Sequence, residues 1–346
     1  MEVDVSDMNT SYKPYVSVII AVYNVEKYIA QCCHSLFSQT LGEMEYIFIN
    51  DCSPDNSIDI VKAILIEYPH RANQVKIIEH SVNLGVSRTR EEGVKAAAGD
   101  YVIHCDPDDW VETDMYEQMY NKAISEDADF VMCDVFYHDP SSAKSYYGKE
   151  APKEVSSRSI LASCLHAQRP IVHGSLWNKL IRTHYCKQIV WYQHVHCAED
   201  VIACAQVLQF PSLKVSYINR AFYYYRQREN TLSHRTFTRQ DAENDYEVIS
   251  ILHHHLCESG DPELYHYWQA SVAWFMAFSF HASDKIYTNK EYLARYKKYR
   301  SCILKDRGLA KIVRIYLYCT TFNYVIPFTI LQIYRKVRKF IKSEDR

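Results

Sequence analysis

Two hydrophobic patterns alternate along the first hundred residues. "YVSVIIAVY" (15–23) is a continuous apolar run, the pattern of a strand buried on both faces. In "NVEKYIAQCCHSLFSQT", Val25, Tyr28, Ile29, Cys32, Cys33, Leu36 and Phe37 recur instead at helical spacing. "EYIFIN" (45–50) predicts a second strand, and "DCSPDNS" supplies turn chemistry before a helical pattern running through Val61 and Leu65 to Tyr68. "VKIIEH" (75–80) predicts a third strand, 86–98 a third helix with Gly99 as its stop, and "YVIHC" (101–105) a fourth strand. Residues 113–136 add a helix and the strand-like "DFVMCDVFY". Beyond about 140, "DPSSAKSYYGKEAPKEVSS" reads as a polar surface connector, and 240–310 as helices rich in Tyr, His and Trp.

This alternation predicts an α/β fold: a doubly wound, mostly parallel sheet with helices on both faces and a C-terminal helical appendage. Such sheets bind ligands beyond the carboxyl ends of their strands. Here those ends are "YNVE", "NDCSPD", "SVNLG" and "CDPDDW". In "YVIHCDPDDWV" (101–111), Asp106, Asp108 and Asp109 fall within four positions. Like charges so close either face water or share a cation. Carboxylates at i and i+2 after a buried strand suit Mg²⁺ or Mn²⁺, which take oxygen ligands from one or two carboxylates and from substrate phosphates. An ion held there stabilises a diphosphate leaving group. An Asp-x-Asp alone equally describes a solvated acidic turn. The neighbouring strand ends favour a nucleotide. "AVYN" (21–24) offers an aromatic ring, Asp51 can accept from the N3–H of a uracil, and Arg90 can counter phosphate or base charge.

Taken together, "VSVIIAVYNVEKYIAQCCHSLFSQT", "YIFINDCSPDNS", "NLGVSRTREEGVKAAAGDYVIHCDPDDW" and "AEDV" resemble the inverting nucleotide-sugar glycosyltransferases of family 2, bacterial surface-polysaccharide type, which have the GT-A fold. The resemblance covers residues 15–136, and more loosely extends to Glu199 and Asp200. It implies that Ala21 and Tyr23 lie against the base and that Asp51 bonds it. Arg90 belongs to the same donor site. Asp106 stands near the ribose and diphosphate, with Asp108 or Asp109 the direct ligand of Mn²⁺ or Mg²⁺. Asp200 matches the carboxylate that takes the acceptor proton, and Glu199 positions it or the acceptor. "LWNKLIR" (176–182), with Trp177 and Lys179, resembles the acceptor-side segment, and "YYYRQREN" (223–230), with Arg226, a loop closing over the diphosphate. The implied activity moves a sugar from a UDP-sugar to a hydroxyl of a saccharide or lipid-linked acceptor. Two positions depart from the pattern: Glu91 replaces a common amide, and Pro107 stiffens the acidic loop.

Plainer readings compete at several positions. The carboxylates of "CAEDVIACAQVL" suit a helix N-terminus. Trp177 reads equally as core, Lys179 as solvated and Arg226 as a charged turn. "HVHC" and "CCH" lack the second ligand pair of a zinc site. "YVIHCDPDDWV" also resembles the strand and Asp-x-Asp of haloacid-dehalogenase-type phosphatases, in which Asp106 would attack phosphorus. That class places its motif after its first strand and follows the second Asp with a small residue. Here three strand–helix units come first, and Asp109 and Trp110 follow. A non-catalytic sugar-nucleotide-binding module is a third reading, opposed by the intact acidic loop and Asp200.

Composition adds compartment and partners. The chain has 346 residues, 48% of them hydrophobic, and a formal charge of −3, which gives no global attraction to nucleic acid. Its 12 cysteines follow no disulfide spacing, and "MEVDVSDMNTSYKP" is no export signal, so a reducing cytoplasm is expected. The expected organisation is a tail (1–14), a GT-A catalytic domain (15–236), a helical region (237–310) and a basic amphipathic segment (311–346). Residues 311–342 hold 7 Lys or Arg and no acid, while 315–334 are uncharged but broken by Pro327. That pattern suits lying on an anionic inner membrane face better than packing onto the catalytic domain or spanning.

Overall fold

The computed structural model describes residues 13–167, 172–227, 238–282, 297, 299–305 and 311–320. The chain forms two compact units. The first comprises residues 1–151, 155–157 and 175–228, and the second 152–154, 158–174 and 229–346.

The first unit opens with the alternation that the apolar runs predict: β1 (Val16–Val22), α1 (Ile29–Phe37), β2 (Met44–Asn50), α2 (Ser57–Glu67), β3 (Val75–Glu79), α3 (Val86–Ala96) and β4 (Tyr101–His104). β1 lies centrally, so Val18, Ile20 and Val22 are fully buried, which is why its run is apolar apart from Ser17, whose hydroxyl donates to Glu45 Oε2 at 2.5 Å. On α1, Ile29, Cys32, Cys33, Leu36 and Phe37 form the buried stripe. All pairs among β1–β4 are parallel, in the order β3-β2-β1-β4. The chain therefore winds outward from β1 to β3, then returns to the other side of β1 for β4. That reversal makes a topological switch between β1 and β4, the position at whose carboxyl ends open α/β sheets bind their ligands.

Beyond β4 the sheet changes character. Next come β5 (Trp110–Val111), α4 (Met115–Ser125), β6 (Phe130–Asp139), β7 (Lys144–Gly148), α5 (Ser157–Cys164), β8 (Lys179–Arg182), α6 (Thr183–Cys186), α7 (Glu199–Val207) and β9 (Val215–Arg226). The sheet continues from β4 as β8-β6-β9-β5, with β7 paired to β6. β8 is antiparallel to both β4 and β6, β5 is antiparallel to β9, and β6 and β9 are parallel. The expected connector after residue 140 is in part strand β7, a hairpin partner of β6 whose exposed side chains give it a loop-like sequence. Gly99 is not the stop of α3, which ends at Ala96. A Cβ on Gly99 would lie 2.7 Å from the backbone nitrogen of Ser17, so close chain approach requires glycine there.

The second unit is helical. α8 (Arg239–Cys257) starts at a capping box between Thr238 and Asp241, and α9 (Pro262–Ala282) packs on it, with Trp268 Nε1 donating to the Ile249 carbonyl at 3.0 Å. Helices Arg300–Lys305 and Lys311–Thr320 follow. Residues 228–230 of the expected diphosphate loop and 321–346 of the basic segment lie outside the described residues. Among the described residues no helix is long and apolar enough to cross a membrane.

Candidate active site

The acidic loop leaves β4 at the switch point, and one later strand, β9, fixes its shape. The Asp109 amide donates to the Asp106 carbonyl at 3.0 Å, closing a tight turn around Pro107. Tyr223 on β9 is fully buried beneath it. Its hydroxyl accepts from the Asp106 amide at 3.1 Å and donates to Asp109 Oδ2 at 2.8 Å. Trp177 stacks on the Tyr223 ring at 4.4 Å. Asp109 Oδ1 accepts from the Arg226 amide at 2.7 Å, and Arg226 Nε donates to the Asp108 carbonyl at 2.8 Å.

The three carboxylates thus divide into two kinds. Asp109 is buried, with both oxygens bonded by β9. Burial, then the charges of Asp108 and Asp106, push its carboxyl well above the ordinary range despite those bonds. Asp106 and Asp108 are half-buried. Their oxygens fit a hard divalent cation in kind. Among the described residues no three His, Cys, Asp or Glu side chains converge as a ready-made cage, so an ion here would complete its shell with water and substrate oxygens.

Arg90, buried on α3, links this loop to a second acidic pair. Its Nη2 donates to Asp106 Oδ1 at 2.9 Å and its Nη1 to Glu199 Oε1 at 2.6 Å. Burial works against the guanidinium, but Glu199, Asp106 and Asp200 more than offset it and raise its pKa. Glu199 and Asp200 form the first turn of α7, as the helix-start reading has it. Burial raises the Glu199 carboxyl to about 7, against the pull of Arg90 and with help from Asp200. Asp200 is raised as well, chiefly by burial, with Arg90 opposing. A raised carboxyl pKa makes a stronger base, which is the property proton abstraction near neutrality needs.

At the carboxyl end of β1, Ala21 is half-buried within the strand and Tyr23, just beyond it, is 48% exposed. The loop carrying Tyr23 is tied to the one after β2, since the Asn24 amide donates to Ser53 Oγ at 2.9 Å and the Glu26 amide to Asp55 Oδ2 at 2.9 Å. Asp51 is buried and already engaged. Oδ1 bonds the Leu84 amide at 2.7 Å and His80 Nδ1 at 2.8 Å, and Oδ2 accepts from the Gly85 amide at 2.9 Å. Its carboxylate organises the loop ahead of α3.

Of the acceptor-side expectations, Trp177 is core, stacked on Tyr223 and Tyr225. Lys179 is not solvated. It is fully buried, donates to Asn178 Oδ1 at 2.8 Å, and its charge acts on Asp200. Arg226 sits against the acidic loop, its guanidinium 4.6 Å from the Trp110 ring centre and bonded to Gln31 Oε1 at 2.5 Å. Sequence reading passed over Tyr223 and His80. Tyr223 stands in "AFYYYR", where alternation marks one tyrosine as inward-facing but not what it touches. His80 closes "VKIIEH", and a lone histidine at a strand end carries no signal.

Comparison with known proteins matches this arrangement to one family. The profile of glycosyl transferase family 2 matches residues 17–198. The uncharacterized glycosyltransferase EpsJ of Bacillus subtilis is 30% identical over 224 residues, 64% of this chain and 63% of its own, so the match spans less than two thirds of that relative. The cholesterol galactosyltransferase of Borreliella burgdorferi is 28% identical over 93% of each chain. Among solved structures, S. aureus TarS 1–349 superposes with a TM-score of 0.66 at 18% identity, over 93% of this chain and 91% of that one. Its complex with UDP-GlcNAc gives 0.64 at 19% identity over the same shares.

Proposed function

The chain belongs to glycosyl transferase family 2, and from that premise we propose that it moves a sugar from a UDP-sugar to an acceptor hydroxyl in one in-line displacement, with inversion. One observation carries this reading: Arg90 holds Asp106 on one arm and Glu199 on the other, so a single buried cation joins the leaving-group loop to the prospective base pair. In-line inversion needs those two functions on opposite faces of the sugar. Asp200 takes the acceptor proton, and Glu199, fixed by Arg90, positions it. Tyr23 and Ala21 face the base. A divalent cation on Asp106 and Asp108, Mn²⁺ or Mg²⁺, neutralises the departing diphosphate when bound. Asp109, held by Tyr223 and Arg226, sets the loop's shape, and Asp51 acts through the Leu84–Gly85 loop. The UDP-GlcNAc bound by TarS supports a UDP-linked donor. The acceptor is a saccharide or lipid-linked sugar of bacterial surface polysaccharide, met at the cytoplasmic membrane face by the basic segment 311–346.

Neither rival has support. The acidic loop follows the fourth strand rather than the first, and the matching family is one of glycosyltransferases. The test begins with a thermal-shift screen of nucleotide-sugars with Mn²⁺ to find the donor. Asp200→Asn then keeps the side chain's size and removes its basicity. Turnover falls about 10²–10⁴-fold while donor binding holds. Near-wild-type turnover would remove Asp200 from the mechanism and leave Glu199 as the base to test.

A further inference from the structure

His80 belongs to none of the roles above, yet it is clamped more tightly than most surface histidines. It follows β3 directly, and its amide donates to the Asn50 carbonyl at 2.9 Å, continuing the ladder with β2. Its ring is 95% enclosed, by the 5% side-chain exposure it retains. Nδ1 lies 2.8 Å from Asp51 Oδ1, and Nε2 lies 2.8 Å from Glu92 Oε2 on α3. A neutral imidazole has one N–H and can donate to only one of these carboxylates. The imidazolium donates to both.

We propose that His80 is a positioning residue of the donor site: its imidazolium cross-links Asp51 at the end of β2 to Glu92 on α3, and so holds the 81–85 loop in place. The consequence runs through Asp51. The same carboxylate bonds the Leu84 and Gly85 amides, and the Asn83 side chain donates to the Asp51 carbonyl at 3.3 Å. That loop presents Val82 and Leu84, 57% and 42% exposed, at the strand ends where Tyr23 also lies. Gly85, with φ of 85°, passes the chain directly into α3, which carries Arg90. When His80 loses its proton, one of the two bonds is lost and Asp51 or Glu92 is left short of a donor.

Other polar groups around the clasp keep it from acting alone. Glu92 also accepts from Arg88 Nε at 2.9 Å, and the Cys52 thiol donates to the Ser81 carbonyl at 3.7 Å. Burial lowers the His80 pKa, but the hydrogen bonds it donates to Asp51 and Glu92, with their charges, outweigh it and the net shift is upward. The sign follows. A histidine with a raised folded pKa contributes its full stabilisation below the unfolded value of about 6.5 and loses it as pH rises through the folded value. Donor binding is therefore stronger in mild acid than in alkali, through affinity and not through the chemical step.

This inference rests on the donor site proposed above, and the test separates the two. In the ligand-free full chain, NMR with labelled histidine identifies the His80 ring by its absence from His80→Gln. Its titration midpoint lies above 6.5, and hydrogen-exchange protection of the Leu84 and Gly85 amides falls as it deprotonates. UDP affinity, measured by calorimetry with Mn²⁺, weakens about tenfold between pH 6 and 9, the scale of one lost bond to a charged group. In His80→Gln the affinity at pH 6 falls to the weaker value and the pH step shrinks to what Glu199, raised to about 7, contributes through Arg90. A ring that titrates below 6.5, protection indifferent to its charge, or an equal pH step in His80→Gln overturns the inference. No UDP binding by the wild type at pH 6 refutes the donor reading, and with it the proposed effect on affinity.

Discussion

Replacing Tyr223 by Phe removes one oxygen atom from the floor of the acidic loop. That hydroxyl makes two bonds at once, accepting from the Asp106 amide and donating to the Asp109 carboxylate. The ring stays, so the stack on Trp177 survives and no large cavity forms. What remains are two polar groups short of a partner in a water-poor site, each worth roughly 1–3 kcal/mol when buried. Allowing for partial relaxation, the variant loses roughly 2–4 kcal/mol, which for a unit of this size lowers the melting temperature by roughly 5–12 °C. The loss also depends on pH. Asp109 already has a raised carboxyl pKa, so its charged form costs stability above the unfolded value of about 3.9, and the cost vanishes below it. Without the tyrosine donor that pKa rises further, so the deficit grows as pH rises through the wild-type Asp109 value and shrinks below it. Thermal melts from pH 5 to 8 measure this. Tyr224→Phe is the control, because its hydroxyl bonds only the half-buried Glu112 at 2.6 Å. If Tyr223→Phe melts with the wild type at pH 8, or loses no more than the control, the hydroxyl does not hold the loop.

Arg90→Gln breaks a buried charge network and costs roughly 3–5 kcal/mol. Because Arg90 holds the Glu199 carboxyl down, its loss raises that carboxyl further, so urea unfolding shows a larger deficit at pH 8 than at pH 5. Equal deficits would contradict the pairing. Asp108→Asn weakens Mn²⁺-dependent UDP binding with little change in melting temperature, since Asp108 is half-buried where Asp109 is not; unchanged metal dependence in calorimetry excludes it as a ligand. Deleting residues 311–346 releases the protein from anionic vesicles at low salt. Full-length protein that never sediments with such vesicles would rule out membrane contact through this segment.

The parallel half of the fold was legible because burial on both faces leaves a one-dimensional trace. β1 and β2 show it as the apolar runs "VIIAV" and "YIFI", and α1 shows the complementary helical stripe. The mixed half was not. β7 turns outward a row of exposed side chains, and β9 mixes tyrosines with Asn and Arg, so neither carries a clean period. The acidic loop was visible as a charge cluster at a strand end. Its division into one anchored and two half-buried carboxylates was not, because the anchoring atoms on Tyr223 and Arg226 lie far along the chain. Asp51 was readable as a polar residue at a strand end, but two of its partners are backbone amides, which leave no mark in a sequence. Lys179 shows the limit most clearly. A lysine beside an apolar "LIR" is ordinarily a surface residue, and only the packing of β8 between β4 and β6 reveals it as buried.

The bracing of the acidic loop by β9 has a consequence for the order in which the protein matures on the ribosome. The bonds from Tyr223 and Arg226 to Asp106, Asp108 and Asp109 reach across 114–118 residues. β1, β2 and β3 pair only with strands of the first 104 residues, so these strands and one edge of β4 can assemble as they emerge, while the other edge of β4 waits for β8. The carboxylates after β4 cannot take their final places until β9 has been synthesised and docked. At roughly 5–20 residues per second, a nascent chain holds the acidic loop unbraced for many seconds. During that interval it is an uncompensated cluster of negative charge, open to cations and chaperones but not to a shaped substrate. Competence at the loop arrives in one late step, with the strand that closes the sheet.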